Sequence, residues 1–199
     1  MVLIVEIDKG LKMGQQFLGG ILGSMLGVSA MLGFAGEPTS IQEVQIERNW
    51  HEVKHSSGRC SMKFPAAPEH VSEKMQMDGM EFSLRYDAFI AATDAKSVYM
   101  LLVAQYPDFV DEKFAHASLE SFLNGILTNN PDNQLLFADL ILVSGKEALD
   151  FFIRSGGTYL KGRALMVKNQ LYLMAMECEV QNYDEQHYNM FVESFLLTQ

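Results

Sequence analysis

The sequence predicts an α/β fold of the α+β kind, an antiparallel sheet covered by helices on both faces. Three observations predict it. Residues Val98 to Tyr106 (Val-Tyr-Met-Leu-Leu-Val-Ala-Gln-Tyr) are apolar on both faces of a strand, so layers must cover both. Two stretches carry apolar residues at helical spacing: Ala115, Leu119, Phe122, Leu123 and Ile126, then Tyr188, Phe191, Val192 and Phe195. The later strands are joined by two-residue turns, and connections that short allow only antiparallel neighbours.

In chain order, residues 17–35 are uncharged and rich in glycine, with Lys9 and Lys12 before them and Gly36-Glu37-Pro38 after. A basic flank, an apolar run and a small-residue exit at Gly33-Phe34-Ala35 form the layout of a secretory signal. Residues 1–35 are therefore expected to be a signal peptide, or a membrane anchor if uncleaved, since the run nearly reaches the ~20 residues that span a bilayer. Residues 36–48 read as a linker and 49–199 as the folded domain. Within it, Cys60, Met62 and Phe64 alternate with Ser61 and Lys63 in a short strand ended by Pro65 and Pro68. Val71 to Met77 and Phe82 to Ala91 read as the next strands, joined at Asp78-Gly79, with Leu84, Tyr86 and Ala88 inward and Ser83, Arg85 and Asp87 outward.

The strand at Val98 runs into Pro107-Asp108 and a helix over about 112–127, capped by Asp111 and ended by Asn129-Asn130-Pro131-Asp132. Four strands follow: 135–143, 147–154, 158–167 and 170–178. Their turns are Ser144-Gly145, Gly156-Gly157 and Lys168-Asn169. A helix from Asp184 to Leu197 is expected to close the chain.

Composition narrows the function. At 199 residues and 48% hydrophobic content, the chain can bury a sizeable core. A net charge of −10 argues against nucleic acid and anionic membrane surfaces, which require basic patches.

Trp50 followed by Gly58-Arg59-Cys60-Ser61-Met62-Lys63-Phe64-Pro65-Ala66-Ala67-Pro68 resembles the opening of bacterial PsbP/Mog1-like domains. Val98-Tyr99-Met100 running to Gln105-Tyr106-Pro107 ahead of a helix is similar too. So are the late hairpin at Leu165 to Tyr172 and the closing Phe191-Val192-Glu193-Ser194-Phe195. The resemblance spans about 49–199 and implies an α/β/α sandwich around an antiparallel sheet. It implies a binding protein rather than an enzyme, and it carries no catalytic motif to transfer.

The residues themselves point the same way. The five histidines lack ligand spacing: His51 and His55 share a strand face but lie about 13 Å apart. His70, His116 and His187 stand apart from them, and a surface position is expected for each. Ser155-Gly156-Gly157 is hairpin chemistry, and Gly145-Lys146 lacks the rest of a phosphate loop. Asp108, Asp111 and Glu112 suit a helix start. Most of the methionines, Met166, Met174 and Met176 among them, sit in strand patterns that imply core packing. Arg154, Lys161 and Arg163 lie on adjacent hairpin strands as a weak basic patch. Cys60 and Cys178 should both point inward, and export would place them where a single disulfide can form. If their Cα atoms exceed ~7 Å, both stay buried thiols.

The expected function is thus an exported, non-enzymatic binding domain, periplasmic or secreted, that engages a protein partner or assists an envelope complex. No cofactor is expected. The alternatives are an enzyme whose pocket is built from residues distant in sequence, and a membrane-tethered structural subunit that uses residues 17–35.

Overall fold

The structure is a computed structural model and describes residues 50–76, 83–110 and 112–198. The expected signal or anchor at 1–35, the linker at 36–48, the turn at Asp78-Gly79 and the Asp111 cap lie outside those residues.

Two antiparallel sheets form. β1 (His51–His55), β2 (Cys60–Phe64) and β10 (Leu196–Leu197) make a three-stranded sheet in the order β1-β2-β10. The larger sheet has seven strands in the order β3-β4-β5-β9-β8-β7-β6. These are β3 (Glu69–Gln76), β4 (Ser83–Ala92), β5 (Ser97–Gln105), β6 (Asn133–Val143), β7 (Lys146–Ser155), β8 (Thr158–Val167) and β9 (Gln170–Glu179). The chain builds β3 to β5 as a meander, crosses to the far edge through α1 (Ala115–Asn129), and returns from β6 to β9, which pairs with β5. Positive φ at Ser144 (51°) and Gly145 (75°) lets a two-residue turn join β6 to β7 in the strands' own twist.

The crossover helix ends where Pro131 requires. Asn133 Nδ2 donates to the Ile126 carbonyl at 2.8 Å, satisfying one of the carbonyls left free at the helix end, and the Asp132 amide donates to Asn130 Oδ1 at 3.0 Å in the turn that follows. Its apolar stripe, Ala115, Leu119, Phe122 and Ile126, packs with Met100, Leu102 and Ala104 of β5 and with Leu171, Leu173 and Ala175 of β9. The alternate residues Tyr99, Leu101 and Val103, with Tyr172, Met174 and Met176, belong to a second cluster. That cluster includes Cys60, Met62 and Phe64 of β2 and Tyr188, Phe191 and Val192 of α2 (Glu185–Glu193). Both faces of the central strands are therefore buried. The second cover is a small sheet together with a nine-residue helix. Fully burying Phe191 alone contributes about 1.5–3 kcal/mol. The three late methionines, Met166, Met174 and Met176, are core residues.

Two expectations are corrected. The closing helix stops at Glu193, not Leu197, because tertiary pairing takes over. Ser194 Oγ donates to the Phe191 carbonyl at 2.7 Å and accepts the Lys63 amide at 3.0 Å, and Leu196–Leu197 then pair with Ser61 and Cys60 of β2. Asp87, expected on a solvated face, is 6% exposed, because the end of β1 covers that part of β4 with His55.

The sheet's two edges differ. β3 carries the charges of Glu69, Glu73 and Lys74 beside the polar His70 and Ser72, and these discourage further strand pairing. β6 carries one charge, Asp139, and leaves Leu135, Leu136, Phe137, Leu140 and Leu142 exposed.

Candidate functional site

Strand alternation places Asp150, Phe152 and Arg154 of β7 on one face. The register sets them opposite Arg163, Lys161 and Tyr159 of β8. Tyr183 and the first turns of α2 lie over that face, leaving a cleft of about 280 Å³ between them, bordered by Phe137 of β6. The weak basic patch is thus partly brought together. Lys161 and Arg163 share the cleft, while Arg154 turns aside and donates from Nε to the Gly156 carbonyl at 3.2 Å.

Neither cleft cation is free. Arg163 grips Asp150 with two bonds, Nε to Oδ1 at 2.5 Å and Nη2 to Oδ2 at 2.7 Å, and this hydrogen bonding raises the guanidinium pKa. Lys161 Nζ donates to both Glu185 oxygens at 2.6 and 2.7 Å and to the Tyr183 hydroxyl at 2.9 Å. It also sits 4.6 Å from the ring centre of Tyr188, 5.4 Å from that of Phe152 and 5.6 Å from that of Tyr183, an aromatic cage around an ammonium. Tyr183 donates its hydroxyl proton to Glu185 and stacks on Phe152.

One group in this cleft is unsatisfied. The Tyr188 hydroxyl, on a side chain 2% exposed, has no hydrogen-bond partner among the described residues. Burial pushes its pKa up, and the charge of Asp150 adds to the rise while Arg163 opposes it. A buried hydroxyl without a partner costs about 1–3 kcal/mol, so the floor of the cleft carries a destabilising group. With two cations matched by two carboxylates, the cleft offers a neutral pocket with aromatic walls.

A second cluster links the two sheets. Asp87 Oδ1 lies 3.0 Å from His70 Nε2, and Oδ2 lies 3.4 Å from His55 Nε2 and 3.9 Å from Arg85 Nε. Burial works to raise the Asp87 pKa, but hydrogen bonds from Ser72 and His70 and the nearby charges outweigh it and hold it below the ordinary value. His55 was expected at the surface and is instead 9% exposed, stacked edge-on against Phe89. Burial is the main reason its pKa is lowered, with Asp87 opposing. Ser57 Oγ also meets His55 Nε2, at 3.0 Å. Serine and carboxylate therefore converge on the same ring nitrogen, while Nδ1 has no hydrogen-bond partner among the described residues. A serine–histidine–carboxylate relay needs the two on opposite nitrogens. This cluster joins sheets; it is not wired for nucleophilic attack.

His116 pairs with Glu120 one turn along α1 at 3.3 Å, and His187 pairs with the helix cap Asp184 at 2.6 Å, both local to their helices. Among the described residues no group of three or more histidine, cysteine or carboxylate side chains is placed to hold a metal ion. Cys60 and Cys178 both point into the second core cluster as free thiols, pushed up by burial to about 12 and about 11.

The other half of the cleft is not legible as a site in the sequence: Tyr188 reads there only as part of a helix's apolar face, and Tyr183 and Glu185 carry no signal. For Asp150 and Phe152 the one signal is polar and aromatic residues at alternate positions across a hairpin with a known turn.

Together these elements have a PsbP-like fold, mixed α/β with antiparallel sheets. No protein-family model matches the chain, and no curated protein sequence matches it. The fold is similar to that of the solution structure of cyanobacterial PsbP (CyanoP) from Synechocystis sp. PCC 6803. The TM-score is 0.54 at 12% identity, over 83% of this chain and 98% of that one. A looser likeness, TM-score 0.40 at 12% identity, relates 82% of this chain to the whole of LpqN, a protein involved in cell envelope biogenesis of Mycobacterium tuberculosis. At such identities a likeness speaks for the fold alone. Among the described residues no helix is long and apolar enough to cross a membrane.

Proposed function

We propose that this chain is an exported, non-enzymatic accessory domain of the PsbP/Mog1-like α/β/α kind, and that it binds a protein partner at the cleft between β7, β8 and α2. The observation that carries the reading is the aromatic-walled cleft itself, where Phe137 and Phe152 line an opening beside the Asp150–Arg163 and Lys161–Glu185 pairs. A segment that lays an apolar side chain against Phe137 and Phe152 covers that wall. Export rests on the apolar run and small-residue exit at 17–35. The likeness to CyanoP supports the sandwich assignment through fold only.

The test has two parts. N-terminal sequencing of the native protein is expected to begin near Gly36; an intact 1–35 in the membrane fraction supports the tethered alternative. A photo-crosslinker placed at Asn189, on the cleft rim, is expected to capture one envelope protein, and Phe152→Ala is expected to weaken that capture several-fold without loss of fold. Crosslinks unaffected by Phe152→Ala would refute the cleft as the binding surface.

A further inference from the structure

We propose that β6 is the contact edge of a homodimer in which two seven-stranded sheets join through antiparallel β6–β6 pairing. β6 pairs with β7 alone, and among the described residues no strand lies on its outer side. Such an edge is a row of unused backbone donors and acceptors that templates another strand unless charge, bulge or cover prevents it. The opposite edge, β3, is guarded by charge along its length. β6 is not, with Leu142 74% exposed and Phe137 50% exposed.

Its register determines which occupant fits. The ladder to β7 shifts between Leu135 and Phe137, so Leu136 is a bulge, and from Phe137 to Val143 the strand is unbroken. A two-fold axis through Leu140, the middle of that unbroken stretch, pairs the strand with itself. Leu140 then meets Leu140 of the second copy and Ala138 meets Leu142, an apolar strip on the face shared with Leu149 and Phe151. On the other face Phe137 meets Val143 and Asp139 meets Ile141, so the two Asp139 carboxylates are not set directly opposite. The same seven residues thus serve both sides, as a two-fold interface requires.

Charge selects where a second copy can approach. The chain carries −10, so most of its surfaces repel a copy, whereas β6 contributes one carboxylate in eleven residues. Because Phe137 also borders the cleft, pairing sets Val143 of the second copy beside the proposed binding site and extends its apolar wall. A single strand edge is smaller than the ~800 Å² per partner of a standard stable interface, so the dimer is weak and reversible, with an affinity in the micromolar range.

Sedimentation of the full chain from about 1 to 200 µM tests this, a range that brackets such an affinity. A monomer–dimer equilibrium is expected, weakened at least about tenfold by Leu140→Lys or Leu142→Lys with the unfolding midpoint unchanged, since both side chains are exposed at the edge. Leu140→Cys is expected to give a covalent dimer on mild oxidation, and Ser72→Cys on β3 to give none. A chain that stays monomeric throughout overturns the proposal. So does association that both lysine variants leave intact, as when residues 17–35 alone drive it, and so does an edge that takes only a strand from another protein. A monomer that still crosslinks through Asn189 leaves the proposed function standing, so the two readings fail separately.

Discussion

Replacing Asp150 with alanine removes the partner of Arg163 and tests whether the cleft is held by charge. The two bonds, at 2.5 and 2.7 Å, join cross-strand neighbours whose side chains are 22% and 20% exposed. Two unit charges about 4 Å apart attract by ~4 kcal/mol at an effective dielectric of ~20. Partial desolvation of both groups cancels about half of this, leaving a coupling of ~1.5–2 kcal/mol. The single substitution costs more than the coupling, because it strands a largely covered guanidinium beside the Tyr188 ring. The expected loss is ~2–3 kcal/mol, a fall of ~5–10 °C in the unfolding midpoint for a domain of this size. Urea unfolding of wild type, Asp150→Ala, Arg163→Ala and the double variant closes a double-mutant cycle. A coupling below ~0.5 kcal/mol would refute the reasoning, since the pair would then behave as an ordinary exposed ion pair.

Three further outcomes are expected. Gly58→Ala would place a Cβ 2.2 Å from His55 Nδ1, forcing the ring off Asp87 at a cost of ~1–3 kcal/mol; urea unfolding should show that His55→Ala in the same chain restores part of it. The folded His55 pKa lies below its ordinary 6.5, so the unfolded chain binds more protons in that window; stability should fall as pH drops below about 6.5, and His55→Asn should flatten that stretch of the profile. Asp87, held below its ordinary 3.8, adds a separate loss at lower pH. Cys60 and Cys178 should resist alkylation at pH 8 while folded, because burial holds them as neutral thiols, and should both react on denaturation. Rapid labelling of the native protein would contradict that burial, and labelling that needs a reductant would mean the pair is bridged.

Much of the fold was legible in the sequence because it is locally encoded. Ser144-Gly145, Gly156-Gly157 and Lys168-Asn169 announce two-residue turns, and such turns leave β6 to β9 no arrangement but a meander. Pro131 ends α1 for a reason internal to proline, and the stripe from Ala115 to Ile126 is a helix face at any address in the fold. The apolar alternation of β5 and β9 required cover on both sides.

Only the tertiary structure decided the rest. Period-two alternation tells which residues share a face, but not which strands meet across a gap or what lies above them. Asp87 reads as solvated on β4 and becomes buried because β1, more than thirty residues earlier, lays His55 over it. Phe195 to Leu197 continue a helical stripe, yet β2 captures the last two as a strand. The β7–β8 hairpin register sets Arg163 opposite Asp150, but Lys161 and Glu185 lie 24 residues apart on different elements, so nothing local pairs them. Their cleft exists because the first turns of α2 lie over the face of β7 and β8 that carries Phe152 and Lys161. The sequence names each side chain and its strand face, and long-range packing alone sets the neighbours from which a site is made.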